Sequence, residues 1–523
     1  MAPADPVEVL LQPPSSSSPS DSTVPSRAAS SYHPLLTYDL PSSQRSYTQQ
    51  FSDLYFSRLT LLKPAATAIA SDAWTDFRLG DETAQKTDRV LDVRQGELCW
   101  VVGTCFMEMP LKPNVLEDVG REHWIAAPVA QHQKFFTEDD DEENAATGFA
   151  NRKVMLEDES GRLRLTGEML GRVMLVTGAI VAVLGTENKD GEFEVLDVKV
   201  PNLPRQPERW ELDDGQRAVE GKKVFPERPR AGKIALISGL GITGEEGDTL
   251  ALDLLSEWLL GEAGGAQDAE DAALISRLVV VGNSLAAGGP IPSREELATK
   301  HSSTKTGGRK YGYDSSTYNP APTDALDNWL AGILPSIPVT LLPGDSDPAH
   351  AALPQQPIHA ALFPRSRAYM APPAPTPKSK TPQPVGWFSS VTNPFEAEID
   401  GWRFLATGGQ PVEDMARYVP DDSRAAMMEA MLRWRLAAPT APDTLWCYPF
   451  QSADAFVIKN CPHIFVAGNQ PGFETCVVED GNGRACRVVA LPSFKTTGEV
   501  VLLDAETLEP EVVRFDVFGA GGE

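Results

Sequence analysis

The residues best placed to do chemistry stand in four short loops, each following an apolar, strand-like run: Ser238-Gly239-Leu240, Gly282-Asn283-Ser284, Gly344-Asp345-Ser346-Asp347 and Gly468-Asn469-Gln470-Pro471. Ligands of α/β proteins bind beyond the carboxyl ends of the strands, which makes such loops the first place to look for a site. Asp345 and Asp347 are the only carboxylates in the set. Two carboxylates without imidazoles can hold Mg²⁺ or Ca²⁺ weakly, and cannot build a dinuclear transition-metal site. The seven histidines, His33, His123, His132, His301, His350, His359 and His463, supply no imidazole at these strand ends. His350, close behind "PGDSDP", reads as a structural loop residue, and His463 precedes its strand. Gly239, Gly241 and Gly244 form a G-x-G-x-x-G-like cluster, yet no acidic residue closes a second strand where a dinucleotide site needs one. Ser238 as a nucleophile lacks a histidine partner and reads as a strand-end residue.

The elements that carry these loops follow from hydrophobic patterning. From residue 231 to 515, continuous Val/Ile/Leu runs such as "KIALISGL", "ISRLVVVGNSL", "PVTLLPGDSDP" and "HIFVAGNQP" alternate with helical stretches. Such runs are strands buried on both faces, so a two-sheet α/β sandwich is expected there. Residues 90–205 show short strands separated by turn signals such as "DESGR" and "NKDGE", which predicts a small β-barrel of the oligonucleotide-binding (OB) type. Between them, 206–230 reads as a linker. Residues 46–89 form a helical segment, with an amphipathic helix expected to end at Pro64. Residues 1–45, rich in Ser and Pro, read as a disordered tail, and 516–523 as a C-terminal tail. The acidic run Thr137–Asn144 and the stretches near 291–320 and 371–385 read as surface loops.

Totals narrow the function further. The 523 residues suffice for two or three domains, since single cores stop growing near about 250–300 residues. The formal charge of −27, with no dense block of Lys or Arg, argues against free-standing nucleic-acid binding. Six scattered cysteines without a CxxC pair predict reduced thiols rather than structural zinc or a disulfide framework. No run of apolar residues approaches the length of a membrane span, and the N-terminus carries no secretory pattern, so a soluble, non-secreted protein is expected. At 41% hydrophobic residues and ten Trp, there is material for apolar interfaces, with Trp387 and Trp402 as candidate anchors that core positions would explain equally well.

The order of the four loops resembles that of the calcineurin-like metallophosphoesterases, whose pattern runs D-x-H, G-D-x-x-D, G-N-H-D, a lone His, then G-H-x-H. That family holds two metal ions, which clamp phosphate and generate the attacking hydroxide. Here Ser238 and Leu240 stand at the first Asp and His. Asn283 stands at the bridging Asp, with Ala286 three positions on. Asp345 and Ser346 stand at the Asn and His of the third motif, which keeps Asp347. Asn469 and Pro471 stand at the last two His. The resemblance implies an inactive phosphoesterase with no catalytic, cofactor-binding or metal residues. Such a domain behind an OB barrel resembles the small (B) subunits of the eukaryotic replicative DNA polymerases, and within them the second, regulatory subunit of polymerase delta. "SGLGI", "VVVGNSL", "LLPGDSDP", "LPQQPIHAALFP", "VTNPFEAEIDGWRFLATGGQPVEDM", "PTAPDTLWCYPF" and "CPHIFVAGNQPGFET" carry that likeness in order over residues 46–515.

The family resemblance implies a nuclear, non-catalytic scaffold in DNA replication and repair. Its partners would be the cysteine-rich C-terminal domain of the catalytic subunit and a third, clamp-binding subunit, with the sliding clamp reached indirectly and polymerase zeta as a further host. Two alternatives stay open: a residual phosphodiesterase using Asp345 and Asp347, and single-strand DNA binding by the barrel through Arg162, Arg164 and Arg172, with contact weak or absent beside so acidic a loop.

Overall fold

The computed structural model describes residues 25–41, 43, 45–46, 48, 50–113, 134–136, 153–211, 232–245, 249–286, 319–371, 386–451 and 453–515. The acidic run 137–144, most of the expected linker, most of the two surface loops, residues 1–24 and the C-terminal tail lie outside them, as do His123, His132 and His301.

An N-terminal strand β1 (Tyr32–Pro34) precedes helix α1 (Phe51–Trp74). Five strands follow: β2 (Leu98–Glu108), β3 (Lys153–Glu157), β4 (Arg162–Thr166), β5 (Ile180–Glu187) and β6 (Glu192–Lys199). Strand β2 pairs with β3 and β5, β3 with β4, β4 with β6, and β6 with β5, so the pairing returns to its start, and β2 also takes the short strand Gln85–Lys86. Strands β3, β4 and β6 largely alternate buried and more exposed positions, whereas β2 and β5 are buried on successive residues. Successive side chains of a strand point to opposite faces, so β2 and β5 must be covered on both. Helix α1 supplies one cover, laying Leu62, Ala66, Ala70 and Trp74 into the same core as Val102, Val181 and Val183.

That packing corrects the expectation that the helix stops at Pro64. The helix continues ten residues further, to Trp74. A proline inside a helix removes one backbone hydrogen bond; here burial of Ala66, Ala70 and Trp74, with Trp74 Nε1 donating to Asp197 Oδ2 at 2.9 Å, outweighs that loss.

The remaining elements form two six-stranded sheets. The first contains β7 (Lys233–Ile237), β8 (Ile275–Val281), β9 (Val339–Leu342), β10 (Phe388–Ser390), β16 (Glu499–Asp504) and β17 (Pro510–Arg514), in the order β10-β9-β8-β7-β16-β17. The second contains β1, β11 (Phe395–Ile399), β12 (Trp402–Thr407), β13 (Ile464–Gln470), β14 (Glu474–Glu479) and β15 (Ala485–Pro492), in the order β1-β11-β12-β13-β15-β14. Alternate residues explain the continuous apolar runs. Ile234 and Leu236 of β7 share a core with Ala397, Phe404 and Val466 of the second sheet. Ala235 and Ile237, one position along, pack with Leu255 of α2 (Thr249–Leu260) and Leu330 of α4 (Ala321–Ile333). Helix α3 (Ala266–Leu274) leads into β8. The outer face of the second sheet packs on α5 (Gln410–Ala416), α6 (Arg424–Trp434) and the five-stranded unit, all in one core.

Two stretches are more ordered than their composition predicts. Part of the expected tail, residues 25–41, adds β1 to the second sheet, pairing Tyr32 with Ile399. Arg27 anchors it by donating to the carbonyls of Leu259 (2.8 Å) near the end of α2, Ala272 (2.7 Å) near the end of α3 and Ile275 (3.0 Å) at the start of β8. A composition argument weighs buried apolar area and so overlooks an arginine that satisfies helix carbonyls. At the start of the expected linker, Gln206 Nε2 donates to Pro462 O (3.2 Å) and Ala485 O (2.6 Å), fastening it to the second sheet.

Candidate functional site: the strand-end junction

The four loops meet at the carboxyl ends of β7, β8, β9 and β13. Contact is close enough that side chains are excluded. A Cβ on Gly468 would lie 2.1 Å from Val281 O, and one on Gly344 2.2 Å from Asn283 Oδ1. Either is far inside van der Waals contact, so glycine is required for the strand ends to converge. Asn283 (φ 54°) and Asn469 (φ 56°) adopt left-handed backbone, which asparagine tolerates better than most residues.

Most polar side chains at the junction are bonded to a neighbouring loop, whereas Ser284 Oγ is buried without a partner. Ser238 Oγ donates to Val281 O at 2.6 Å and accepts from Asn469 N at 2.8 Å, linking β7, β8 and β13. Asn469 Nδ2 donates to Gly408 O at 2.8 Å. Asn283 Oδ1 accepts from Ser346 N at 3.2 Å, and Ser346 Oγ donates to Leu285 O at 2.6 Å. Asp347 is buried, and its two oxygens accept three backbone amides: Leu285 N at 2.9 Å, Gly344 N at 2.8 Å and Ser284 N at 3.2 Å. Burial holds its carboxyl above the usual range, against the opposing pull of those amides. Asp345 is exposed, whereas Asp347 is buried. Leu240 is core, and Pro471 is exposed.

Residues missed in the sequence extend this network. Asn393 Nδ2 donates to Gln355 Oε1 (2.8 Å) and Gln410 Oε1 (2.9 Å), and Asn393 Oδ1 accepts from Thr407 Oγ1 (3.1 Å) and Gly408 N (2.9 Å). Gln355 Nε2 donates to Gly344 O at 3.1 Å. The junction is thus made of neutral amides, hydroxyls and one carboxylate saturated by backbone N–H groups. Among the described residues, no three His, Cys, Asp or Glu side chains gather into a group that could hold a metal. The network is a joint that fixes four strand ends.

The other candidates are placed elsewhere. His33, His350 and His359 are exposed. His463 is buried, with Nδ1 accepting from Arg403 N at 3.1 Å and the ring edge-on to Trp402 at 5.0 Å; burial lowers its pKa to about 4. Trp402 donates to Ala505 O at 2.7 Å and carries the Arg209 guanidinium over its ring, so it serves packing; Trp387 is 41% exposed. The barrel arginines are engaged: Arg162 with Glu157, Arg164 with Glu192 (2.8 Å) and Arg172 with Glu168 (3.8 Å).

The chain is similar to accessory subunits of DNA polymerases. Residues 234–475 match the family model for the B subunit of DNA polymerase alpha/epsilon, and 50–198 match that for the DNA polymerase delta subunit OB-fold domain. The chain is 32% identical to the DNA polymerase delta small subunit of Saccharomyces cerevisiae over 93% of each chain. It is 33% identical to that of Arabidopsis thaliana, over 89% of this chain and 91% of the relative. With DNA polymerase delta subunit 2 of Drosophila melanogaster it shares 32% identity, over 90% and 94%. The chain belongs to the family of DNA polymerase delta small subunits, non-catalytic accessory chains of a replicative polymerase.

Proposed function

We infer that the chain is a nuclear scaffold that joins the C-terminal domain of the polymerase delta catalytic subunit to a third, clamp-binding subunit in replication and repair, and that it also serves polymerase zeta. In this reading the two-sheet unit is a phosphoesterase fold whose ligands have been replaced, with Ser238, Leu240, Asn283, Asp345, Ser346, Asn469 and Pro471 at the altered positions. Asp347 carries the argument. It is a carboxylate at a position where the phosphoesterase pattern calls for Asp, yet its oxygens are filled by the amides of Gly344, Ser284 and Leu285. A ligand so occupied supports retention of the fold for its surface, and disfavours residual phosphodiesterase chemistry. The glutamates beside Arg162, Arg164 and Arg172 likewise disfavour single-strand binding, since each places a negative charge next to the arginine a phosphate would approach.

The reading is tested by immobilising the C-terminal domain of the catalytic subunit and adding the third subunit with and without this chain. Retention of the third subunit only when this chain is present is expected. Equal retention in its absence would remove the bridging role.

A further inference from the structure

The two sheets end side by side in strands that no further described strand covers. β10 closes one sheet and pairs only with β9; β1 closes the other and pairs only with β11. Trp387 O accepts from Val339 N and Val391 N donates to Leu341 O, so by alternation along the strand the N–H and C=O of Phe388 and Ser390 face away from β9. Unpaired backbone groups on a sheet edge are a template for an added strand.

Beside this edge lies an open groove of about 460 Å³ between β1, β10 and the segment 357–360. Pro34, Leu36, Ile358, Met370 and Val391 supply much of its wall, and among the described residues no Asp, Glu, Lys or Arg lines it, in a chain of net charge −27. Its rim exposes apolar surface at a cost. Leu36 is 68% exposed, on a left-handed backbone (φ 50°) that leucine rarely adopts. The flanking bonds Leu35 N to Glu396 O (3.1 Å) and Asp39 N to Leu36 O (3.2 Å) hold it there. Trp387, 41% exposed, stands at the start of β10.

We propose that this groove receives an extended, uncharged apolar segment of another subunit of the polymerase assembly, running along the free edge of β10 with side chains between Leu36, Ile358 and Met370. An uncharged occupant follows from the lining, where a Lys, Arg, Asp or Glu would be desolvated without a counter-charge. The inference rests on the scaffold reading, since the occupant belongs to a partner subunit.

Hydrogen exchange read by mass spectrometry on the full chain, free and in the purified assembly, tests it. Amides of 386–391 and 32–37 are expected to exchange at least about tenfold more slowly in the assembly. The variant Leu36→Asp, shown to be folded by circular dichroism, is expected to lose that protection. Assembly with unchanged exchange at these residues would overturn the groove alone, as would protection already present in the free chain or persisting in Leu36→Asp. Failure of the chain to assemble at all would overturn the scaffold reading with it.

Discussion

Replacing Arg58 with methionine is expected to loosen the attachment of α1 and the barrel to the two-sheet unit. Arg58 is 1% exposed and sits on α1. Its Nε donates to Asp454 Oδ2 at 2.7 Å, and its terminal nitrogens donate to Pro439 O at 2.7 Å and Ala438 O at 3.4 Å. Gly178, just before β5, closes over the same group, with room for no Cβ: one would meet Arg58 at 2.9 Å and Pro439 O at 2.1 Å. Asp454 is wholly buried, and its second oxygen accepts from Phe456 N at 2.9 Å. Removing the guanidinium leaves a buried carboxylate with one amide, a loss of about 3–5 kcal/mol for a broken buried pair. Arg58→Met/Asp454→Asn removes the orphaned charge while keeping an acceptor for Phe456, so part of that loss should return. Urea denaturation of the wild type, both single variants and the double variant measures the coupling. An Arg58→Met protein within about 0.5 kcal/mol of wild type, or a double variant as unstable as the sum of the singles, would show that this pair does not hold the two units together.

Three further outcomes are expected. His463, neutral when folded and titrating at about 4 against 6.5 unfolded, makes the unfolded chain the better proton binder between those values. Stability should therefore fall by about 3 kcal/mol as pH drops from 7 to 4, and His463→Gln should flatten that part of a denaturation-versus-pH curve; an unchanged slope would count against it. Gly468→Ala drives a methyl into Val281 O and Ser238 Oγ, so a loss of at least about 1–3 kcal/mol is expected in thermal unfolding, and a neutral result would mean the junction is looser than described. Asp347→Asn turns an amide NH₂ toward backbone N–H donors, for a cost of about 1–3 kcal/mol by urea denaturation; unchanged stability would show that the carboxylate does not pin the loops.

How much of this was legible follows from what each signal measures. The continuous runs of β7, β8, β9 and β13 marked strands buried on both faces, because every second residue faces a different core. The strand ends showed that Ser238, Asn283 and Asn469 stand where ligands would be. What replaced the ligands was hidden, since Gln355, Asn393 and Gln410 lie 17 to 55 positions apart in the sequence and converge only through the fold. Residues 464–467 read as a strand breaking at Gly468, whereas β13 runs to Gln470 with an irregularity after Ala467. Pro64 and the Ser/Pro-rich tail misled for one reason: local propensity was overridden by contacts with distant segments, Ala66 and Trp74 against the barrel, Arg27 against helix ends.

Whether the strand-end junction only joins four strands, and carries no chemistry, is decided by titrating the full chain with Mn²⁺ while following hydrolysis of an aryl phosphodiester. No turnover is expected at any metal concentration. Turnover that rises with metal and disappears in Asp345→Asn or Asp347→Asn, with both variants folded, would contradict a purely structural junction.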